Sequence, residues 1–528
     1  MSHFLNGQDR KRRQPNAVLA WLCIVLVVLP SCRIPCLREA EPGPDLPDTF
    51  NGRISAESSS QVSIPEFFND PVLTCLIEEA LVGNQQLKIL AEDIQIANNE
   101  ILARKGAYFP FFNIGAGAGV MKPSVYTPQG AVEDQLQYLP GQHFPRPLPN
   151  FLIATDLTWQ VDIWRQLRNA RDAAALRYLG TAEGRNYVVT RLVADVAENY
   201  YTLMALDKKL ENLDSIIQLQ EKSLDIAKAL KEAARVTELP VQRFIAELRK
   251  NHSEKLIIQQ EIIEAENRIN FALGRYPMPV ERHSDRFIEL HMSPLNVGVP
   301  VQLLSNRPDI RQAERDLAAA GLDVKVARAR FYPTLNITGT VGFEAFNPKY
   351  LFFTPESIVG GVAGSLVAPL INRAAIKADY MSANARQIQA LVNYQRTTLD
   401  AFTEVINRVS KVENYGKSIE IKKQQLEALE ESVDVAGRLF QNARTEYLDV
   451  LYAQRDLMDA RMVLIETKRQ QVSAVVNTYQ ALGGGGGGLP PVFDFAPVAV
   501  PPSLIELDPE DESIVPPEPL PDDAKAGD

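Results

Sequence analysis

Apolar and polar residues alternate strictly over ten positions in the second half of the chain, from Thr334 to Phe343. The odd-numbered residues, from Leu335 to Phe343, form an apolar face. The even-numbered residues, from Thr334 to Gly342, form a face of small polar residues. This two-residue period is typical of a β-strand. A helical pattern precedes the strand and ends at Pro333, and a similar string, from Ala103 to Val120, surrounds Pro110. The sequence therefore predicts a helix-to-strand transition at both prolines.

The two stretches belong to an internal repeat. With Pro110 aligned to Pro333, three further pairs of segments follow in the same order: VDIWRQLRNA and APLINRAAIK, ELPVQRFIAEL and YLDVLYAQRDL, and FALG and QALG. Each half is predicted to contain a helix, a strand, a loop, a second strand and a long helical hairpin. The predicted opening helices are Pro71–Tyr108 and Pro308–Phe331, and the predicted return strands are Phe151–Gln160 and Ser357–Val367.

Very long helices are predicted because no proline occurs between residues 165 and 239 or between residues 370 and 482. Apolar residues recur at alternating spacings of three and four over residues 206–227 and 426–443, which indicates a coiled-coil seam. At 1.5 Å per residue, a helix over residues 165–234 would extend roughly 100 Å. A compact globular core does not need such a helix, whereas a structure that crosses a wide compartment does.

The N-terminus has the pattern of an export signal. A basic run, Arg10–Arg13, precedes the apolar stretch Ala17–Pro30, which is too short to span a bilayer. The following LPSC resembles a bacterial lipobox, so Cys32 is predicted to be lipidated and to become the mature N-terminus. An ordinary cleaved signal and a membrane anchor are the alternatives. A disulfide between Cys36 and Cys75 is compatible with the sequence, but no cysteine pattern supports it.

These features divide the chain into six parts. We predict a signal peptide (1–31), a lipidated segment (32–63), a first repeat (64–275), a connection (276–301), a second repeat (302–483) and a disordered tail (484–528). The tail is Gly-rich at its start and then rich in Pro, Asp and Glu, a composition that does not support a packed core.

Charge and candidate chemistry argue against several function classes. The formal net charge is −11, whereas a nucleic-acid-binding protein needs a basic surface, so nucleic-acid binding is not expected. The five histidines have no metal-ligand spacing, so neither a metal nor another cofactor is expected. Arg307, Asp309 and Arg311 lie together, but we interpret them as a capped, solvated helix start at Pro308 rather than as a catalytic cluster. No enzymatic activity is expected.

The four predicted strands have about ten residues each, the length that a tilted membrane-spanning strand needs. A periplasmic β-sandwich is the alternative. Open strand edges are not tolerated in hydrocarbon, and four strands are too few for a closed barrel. The barrel must then be shared between chains. Two chains would supply eight strands and a filled interior, whereas three would supply twelve strands and a lumen, so we predict a homotrimer.

The segments 305–343, 447–460 and 479–486 resemble the TolC-type outer-membrane factor family, and within it the lipoprotein (OprM- or NodT-like) branch of RND efflux systems. The weaker first-half copies, WQVDIW and NRINFALGR, share the resemblance. It implies a membrane α+β fold: a trimeric 12-stranded outer-membrane β-barrel, four strands per chain, continuing into a long periplasmic α-helical coiled-coil barrel, duplicated within the chain.

The resemblance also implies the function. The chain would be the outer-membrane channel subunit of a tripartite efflux pump, a lipid-anchored homotrimer with a large periplasmic part. It would passively conduct drugs, metals or other toxic small molecules from a periplasmic adaptor protein and an inner-membrane RND-type transporter to the exterior. The alternatives are the outer-membrane conduit of a type I protein secretion system and a periplasmic coiled-coil scaffold.

The family places its periplasmic aperture in the segment matched here by TEYLDVLYAQRD. Leu448 corresponds to an apolar constriction, Asp449 and Tyr452 to two positions that often carry aspartates, and Arg455 to a basic partner. Tyr452 departs from the acidic pattern, so a double acidic ring is not expected. The alternative role for Asp449 is to cap the helix after the turn. The tips of the two hairpins are the expected adaptor contacts, namely Arg235, Thr237, Arg444 and Glu446.

Overall fold

The computed structural model of the chain describes residues 34–485, apart from residues 54, 56, 57, 291, 293–295, 370–372 and 443. The predicted signal peptide, Cys32 and the tail beyond Gly485 lie outside the described residues. In chain order the helices are α1 (Ile64–Phe68), α2 (Pro71–Gly83), α3 (Gln85–Gly106), α4 (Pro128–Gln135), α5 (Gln166–Glu232), α6 (Glu238–Leu273), α7 (Gln302–Asn306), α8 (Pro308–Ala329), α9 (Ala374–Gln441) and α10 (Tyr447–Ala481). The strands are β1 (Phe111–Met121), β2 (Gln137–Leu139), β3 (Gln142–His143), β4 (Leu148–Val161), β5 (Thr334–Ala345) and β6 (Ile358–Val367).

Four strands form one antiparallel sheet in the order β1-β4-β5-β6. They are the four strands predicted from the alternation, and every observed boundary lies within three residues of the predicted one. The register places Asp156 opposite Thr340 and Gln160 opposite Asn336, so the polar residues of β4 and β5, apart from Thr155, share one face. β1 and β6 are the edge strands, and neither has a second partner among the described residues.

The connection between β1 and β4 is more ordered than the predicted loop. It contains α4 and the small β2–β3 hairpin. The Thr127 hydroxyl accepts a hydrogen bond from the Gly130 N–H at 3.3 Å, and Pro128 occupies the first turn of α4. These are the features of a helix start. Eight residues are too few to produce a recognisable apolar period, which is why the sequence pattern did not reveal this helix.

The long helices agree with the prediction. α5 contains 67 residues and α9 contains 68, so each extends about 100 Å at 1.5 Å per residue. Each turns back at a short tip into α6 or α10 and forms a hairpin. The predicted seam of α5, from Leu206 to Ala227, is buried except at Leu210, which is partly buried. Across the described part of the chain, none of the helices combines the length and the apolarity that crossing a bilayer requires.

The first opening helix differs from the prediction, because it is broken at Asn84 into α2 and α3. Asn84 has an extended backbone, and its side-chain oxygen accepts from the Leu87 N–H at 3.2 Å to begin α3. Its side-chain amide donates to the Ala272 carbonyl at the end of α6, at 2.8 Å. A Cβ on Gly83 would lie 2.1 Å from the Leu273 carbonyl oxygen. The helix therefore bends at a glycine–asparagine pair where two backbones meet.

Two apolar clusters hold the hairpins to each other. The larger one joins α1, α2 and the middle of α5 to α6 and α10, and in it the rings of Phe67 and Tyr479 stack at 4.0 Å. Burial raises the pKa of Tyr479 to about 12, and its hydroxyl donates to the Val62 carbonyl at 2.8 Å. The second cluster lies toward the tips, where Phe244 of α6 approaches Phe440 of α9. The hairpins are thus packed together at mid-length and near their tips.

The start of α8 differs from the solvated helix start that the sequence suggested, because the Arg307 side chain is only 5% exposed. Its guanidinium donates to both carboxylate oxygens of Asp309, to Glu404 of α9 at 3.0 Å, and to the Ala481 carbonyl of α10 at 2.9 Å. Burial lowers the pKa of Arg307, but its bonds to Asp309 and Glu404 outweigh burial and raise it. Arg307 is therefore a buried junction of three helices.

Residues 34–53, here called the N-terminal strap, run alongside α9 in the same direction. The Arg38 backbone N–H donates to the Asn384 side-chain oxygen at 3.0 Å, and the Asn384 amide donates back to the Arg38 carbonyl. Farther along, the ring of Phe50 stacks on Phe402 at 5.4 Å, and Arg53 pairs with Glu413 at 2.8 Å.

The cysteine pair that the sequence permitted is absent. Cys36 of the strap and Cys75 of α2 are both free and exposed.

Candidate functional site

The predicted transition at Pro333 lies in a contact between the two repeats. The Trp164 indole N–H, located just before α5, donates to the Pro333 carbonyl at 2.8 Å, and its ring stacks on Tyr332 at 4.7 Å. The Arg373 guanidinium, just before α9, donates to the Phe331 carbonyl at 2.9 Å. The end of the sheet at which β5 begins is thereby attached to the beginnings of both long helices, α5 and α9.

The transition at Pro110 has a matching contact. The Trp159 indole N–H of β4 donates to the Tyr108 carbonyl at 3.2 Å. After β4, the buried Asp162 carboxylate accepts from the Leu167 and Arg168 backbone N–H groups, each at 3.0 Å, and so satisfies donors at the start of α5. Sequence analysis aligned this segment but assigned Asp162 no role. An aspartate a few residues before a proline-free helix was the available signal.

The polar face of the sheet carries two carboxylates. Asp156 of β4 lies between Asn113 of β1 and Thr340 of β5, and the Thr340 hydroxyl donates to it at 2.6 Å. Near the far end of the sheet, the Glu344 carboxylate accepts from the Asn150 side-chain amide at 2.7 Å. Both carboxylates are held by neutral donors. The opposite face is apolar and includes Ile114, Ile153, Leu157, Ile337 and Val362.

The four predicted aperture residues lie in the first turns of α10. Leu448 is half-buried, whereas Asp449, Tyr452 and Arg455 are exposed. The Asp449 carboxylate accepts from the Thr445 hydroxyl. Arg455 pairs along its own helix with Asp459 at 3.8 Å and not with Asp449. Within one chain, therefore, the four residues share a short exposed helix segment, and Asp449 and Arg455 do not form an ion pair.

The alternative role for Asp449, as the helix cap, does not match the geometry. The N-cap position is occupied by Glu446, whose side chain makes no capping hydrogen bond. Asp449 lies inside the first turn, and its backbone N–H donates to the Glu446 carbonyl at 3.2 Å. A carboxylate at this position interacts favourably with the helix dipole, and the Asp449 side chain is exposed to solvent apart from its bond to Thr445.

The two hairpin tips are built alike. The Arg235 N–H donates to the Leu230 carbonyl at 2.8 Å, and the Arg444 N–H donates to the Leu439 carbonyl at 2.9 Å. This bond, from a residue to the fifth one before it, terminates a helix tightly. The four predicted contact residues, Arg235, Thr237, Arg444 and Glu446, are all exposed. Lys231 and Glu238 form an ion pair across the first tip.

A buried polar layer crosses the hairpins close to the aperture segment. Gln454 of α10 donates to the Ser223 hydroxyl of α5 at 2.8 Å, and Asn251 of α6 donates to Gln220 of α5 at 2.8 Å. Gln220 was visible in the sequence as an interruption of the apolar seam, but its partners were not. A polar layer of this kind fixes helix register at a cost in stability.

The described residues contain no group of three histidine, cysteine or acidic side chains that could hold a metal ion.

Comparisons with known proteins agree with this architecture. The sequence profile of the outer membrane efflux protein family matches residues 76–275 and 299–484. The solvent efflux pump outer membrane protein SrpC of Pseudomonas putida is 26% identical over 425 residues, covering 80% of this chain and 87% of SrpC. The cation efflux system protein CusC of Escherichia coli is 26% identical over 443 residues, covering 82% of this chain and 91% of CusC.

Solved structures share the fold. A crystal structure of CusC superposes with a TM-score of 0.74 at 22% identity, covering 85% of this chain and 99% of that one. The open state of the Neisseria gonorrhoeae MtrE outer membrane channel superposes with a TM-score of 0.71 at 21% identity, covering 86% and 98%. Because the family profile spans well over half of its 528 residues, this chain belongs to the outer membrane efflux protein family.

Proposed function

We propose that three copies of this outer membrane efflux protein close a twelve-stranded barrel in the outer membrane, continued by a periplasmic α-helical tunnel. This proposal rests mainly on the four-stranded sheet, which has two edges unpaired among the described residues and one polar and one apolar face. The sheet is joined to helices about 100 Å long. The duct would conduct small molecules outward from a periplasmic adaptor and an inner-membrane RND-type transporter.

The unpaired edges support the trimer. In hydrocarbon each unpaired backbone N–H or C=O costs several kcal/mol, so β1 and β6 require partners. Pairing of β1 in one copy with β6 in the next satisfies both edges and repeats around a closed ring. Two copies would give eight strands with a filled interior, whereas three give twelve and a lumen. The polar face then lines water and the apolar face contacts lipid.

Aromatic residues at both ends of the sheet support the same orientation. Trp159 and Trp164 lie at the helix-bearing end. At the other end, the rings of Tyr138, Phe346 and Tyr350 pack together within 6.3 Å. Transmembrane barrels carry such aromatic girdles at both interfaces of the membrane.

The strap supports lipidation of Cys32. Ile34 and Leu37 pack against a buried cluster that includes Phe331 and Tyr380, beside the strand transition at Pro333. Ile34, where the described chain begins, therefore lies beside the proposed membrane boundary, the place at which a lipid anchor would act. Cys32→Ser should abolish labelling by a palmitate analogue, whereas Cys36→Ser should label as the wild type does. Labelling that persists in Cys32→Ser contradicts the assignment.

We also propose that Leu448, Asp449, Tyr452 and Arg455 narrow the periplasmic end of the tunnel. Three symmetry-related Asp449 carboxylates would repel one another and attract cations. Asp449→Ala combined with Arg455→Ala should raise the conductance of the trimer in a planar bilayer. Asp459→Ala, which removes the described partner of Arg455, is the matched control. Equal conductance in the wild type, the double variant and the control contradicts the assignment of these residues to the aperture.

The class of cargo is tested through the partners. Relatives are named for the efflux of solvents and cations, which favours small molecules as cargo. Cysteines placed at Arg235, Thr237, Arg444 and Glu446 should cross-link to a periplasmic adaptor in cells, and an RND-type transporter should co-purify with it. Capture of a type I secretion transporter supports the protein-export alternative, and recovery outside the outer membrane supports the scaffold.

A further inference from the structure

We propose that Asp156, assisted by Glu344, makes the barrel segment of the duct selective for cations, so that cationic and neutral solutes pass in preference to anions. This inference rests on the proposed trimer, and it specifies the charge of the solutes that the duct favours.

The charge of the strand segments is entirely negative. Asp156 and Glu344 are the only ionisable side chains in β1, β4, β5 and β6, and these strands contain no lysine, arginine or histidine. Three copies therefore place six carboxylates, two from each chain, and no cationic side chain in the barrel wall. Within the four strands, the fixed charge of the barrel wall is set by these two positions.

Neither carboxylate is neutralised by the residues around it. Asp156 is exposed and accepts a hydrogen bond from the Thr340 hydroxyl, and its other register partner is Asn113. Glu344 accepts from Asn150. These donors are uncharged, so they orient and stabilise the ionised carboxylates without cancelling their charge. An ion pair with arginine or lysine would have removed the field that the lumen experiences.

The register shows that both carboxylates lie on one face. Asp156 pairs with Thr340, and Glu344 lies four residues farther along β5, so an even number of steps separates them. Apart from Thr155, the residues on the opposite face are apolar or glycine, and an ionised carboxylate facing lipid would be strongly destabilising. In a closed barrel Asp156 therefore lies on the water-filled side, near the middle of β4, and Glu344 lies nearer the exit.

The size of the effect follows from Coulomb's law. For three carboxylates about 10 Å from the axis, screened at 0.1 M salt, the ratio of cation to anion concentration on the axis changes by roughly fourfold. At 1 M salt the Debye length is about 3 Å and the effect disappears. Rings of acidic side chains are a recognised basis of cation selectivity in channels.

The test measures reversal potentials of single trimers in planar bilayers under a KCl gradient. Every protein carries Asp449→Asn, which removes the acidic contribution of the proposed aperture. In this background Asp156→Asn should lower the ratio of potassium to chloride permeability by roughly fourfold near 0.1 M salt, and Asp156→Lys should favour chloride. Glu344→Gln should lower the ratio less, because it lies nearer to bulk solvent. Thr158→Asn, on the same face of β4, is the neutral control.

The possible results separate the inference about Asp156 from the proposed barrel itself. If Asp156→Asn retains the permeability ratio of Thr158→Asn, the inference is overturned while the trimeric duct stands. If the parent protein forms no conducting trimer, the barrel itself is contradicted. If Asp156→Asn does not assemble, Thr158→Lys tests the same field with Asp156 intact, and an unchanged permeability ratio in that variant overturns the inference.

Discussion

Arg307→Met should destabilise the folded chain far more than removal of Arg330, the arginine that flanks the other end of α8. The buried Arg307 guanidinium joins the start of α8 to Glu404 of α9 and to the Ala481 carbonyl of α10. Methionine keeps the apolar stem of the side chain but has no donors. The substitution therefore leaves two carboxylates and one carbonyl without their donor.

The expected loss follows from burial of the ionic partners. Removing one partner of a buried ion pair typically costs about 3–5 kcal/mol. The Asp309 and Glu404 side chains are 19% and 30% exposed, so water can partly replace the lost bonds. We therefore expect the lower end of this range, about 3 kcal/mol, or roughly 100-fold in the folding equilibrium.

The control is Arg330→Met at the other end of α8. Arg330 pairs with Asp379 at 2.7 Å, but the two side chains are 48% and 56% exposed. An exposed pair contributes at most about 1 kcal/mol. Guanidinium unfolding in detergent, followed by circular dichroism of the helices, compares the midpoints of the two variants with the wild type.

The reasoning is refuted if Arg307→Met and Arg330→Met shift the midpoint equally. Arg307→Lys provides a second check, because a lysine retains the charge but not the fork of donors that reaches three groups. It should recover only part of the loss.

Three further predictions concern the periplasmic part and the sheet boundary. Burial raises the pKa of Glu466, but its bonds to Arg469 and Lys209 outweigh this and lower the pKa to about 2; the associated stability is present above about pH 4.5 and is lost as the pH falls toward 2. Glu466→Gln should flatten this acid dependence of the unfolding midpoint, and an unchanged acid slope would contradict the pairing. Trp164→Phe removes the 2.8 Å bond to Pro333 and should destabilise the junction by about 1 kcal/mol, seen as faster local amide exchange; exchange equal to wild type argues against that role. Gly274→Ala should lower the unfolding midpoint, because this glycine has a φ of +75° and its Cβ would lie 2.3 Å from a carbonyl oxygen, whereas Gly106→Ala, with open space around it, should not.

Features that depend on a pattern repeated over many residues were predictable. The alternation after Pro110 and Pro333 identified the strands, and the absence of proline over about 70 residues identified α5. The number of chains in the barrel followed from strand count and the chemistry of open edges, and it remains a proposal.

Features that depend on one distant partner were not predictable. The local sequence around Arg307 predicts a solvated helix start. Its partners Glu404 and Ala481 are 97 and 174 residues away, so no local pattern reveals that it is buried. The helix break at Asn84 had a local sign, because Gly83 precedes it. The apolar helical period continues on both sides of the break, so the sequence predicted one continuous helix. Asp156 was present in the sequence as an ordinary strand residue, and only the register showed that it lies on the polar face.

The strap has a consequence for the order of assembly. It is the first described segment to be synthesised, yet its partner Asn384 comes 346 residues after Arg38. We therefore expect the strap to remain unattached until α9, in the second repeat, has been made. A product truncated before α9 could not dock its own strap, so this long-range contact distinguishes chains that include α9 from shorter ones before the proposed trimer assembles.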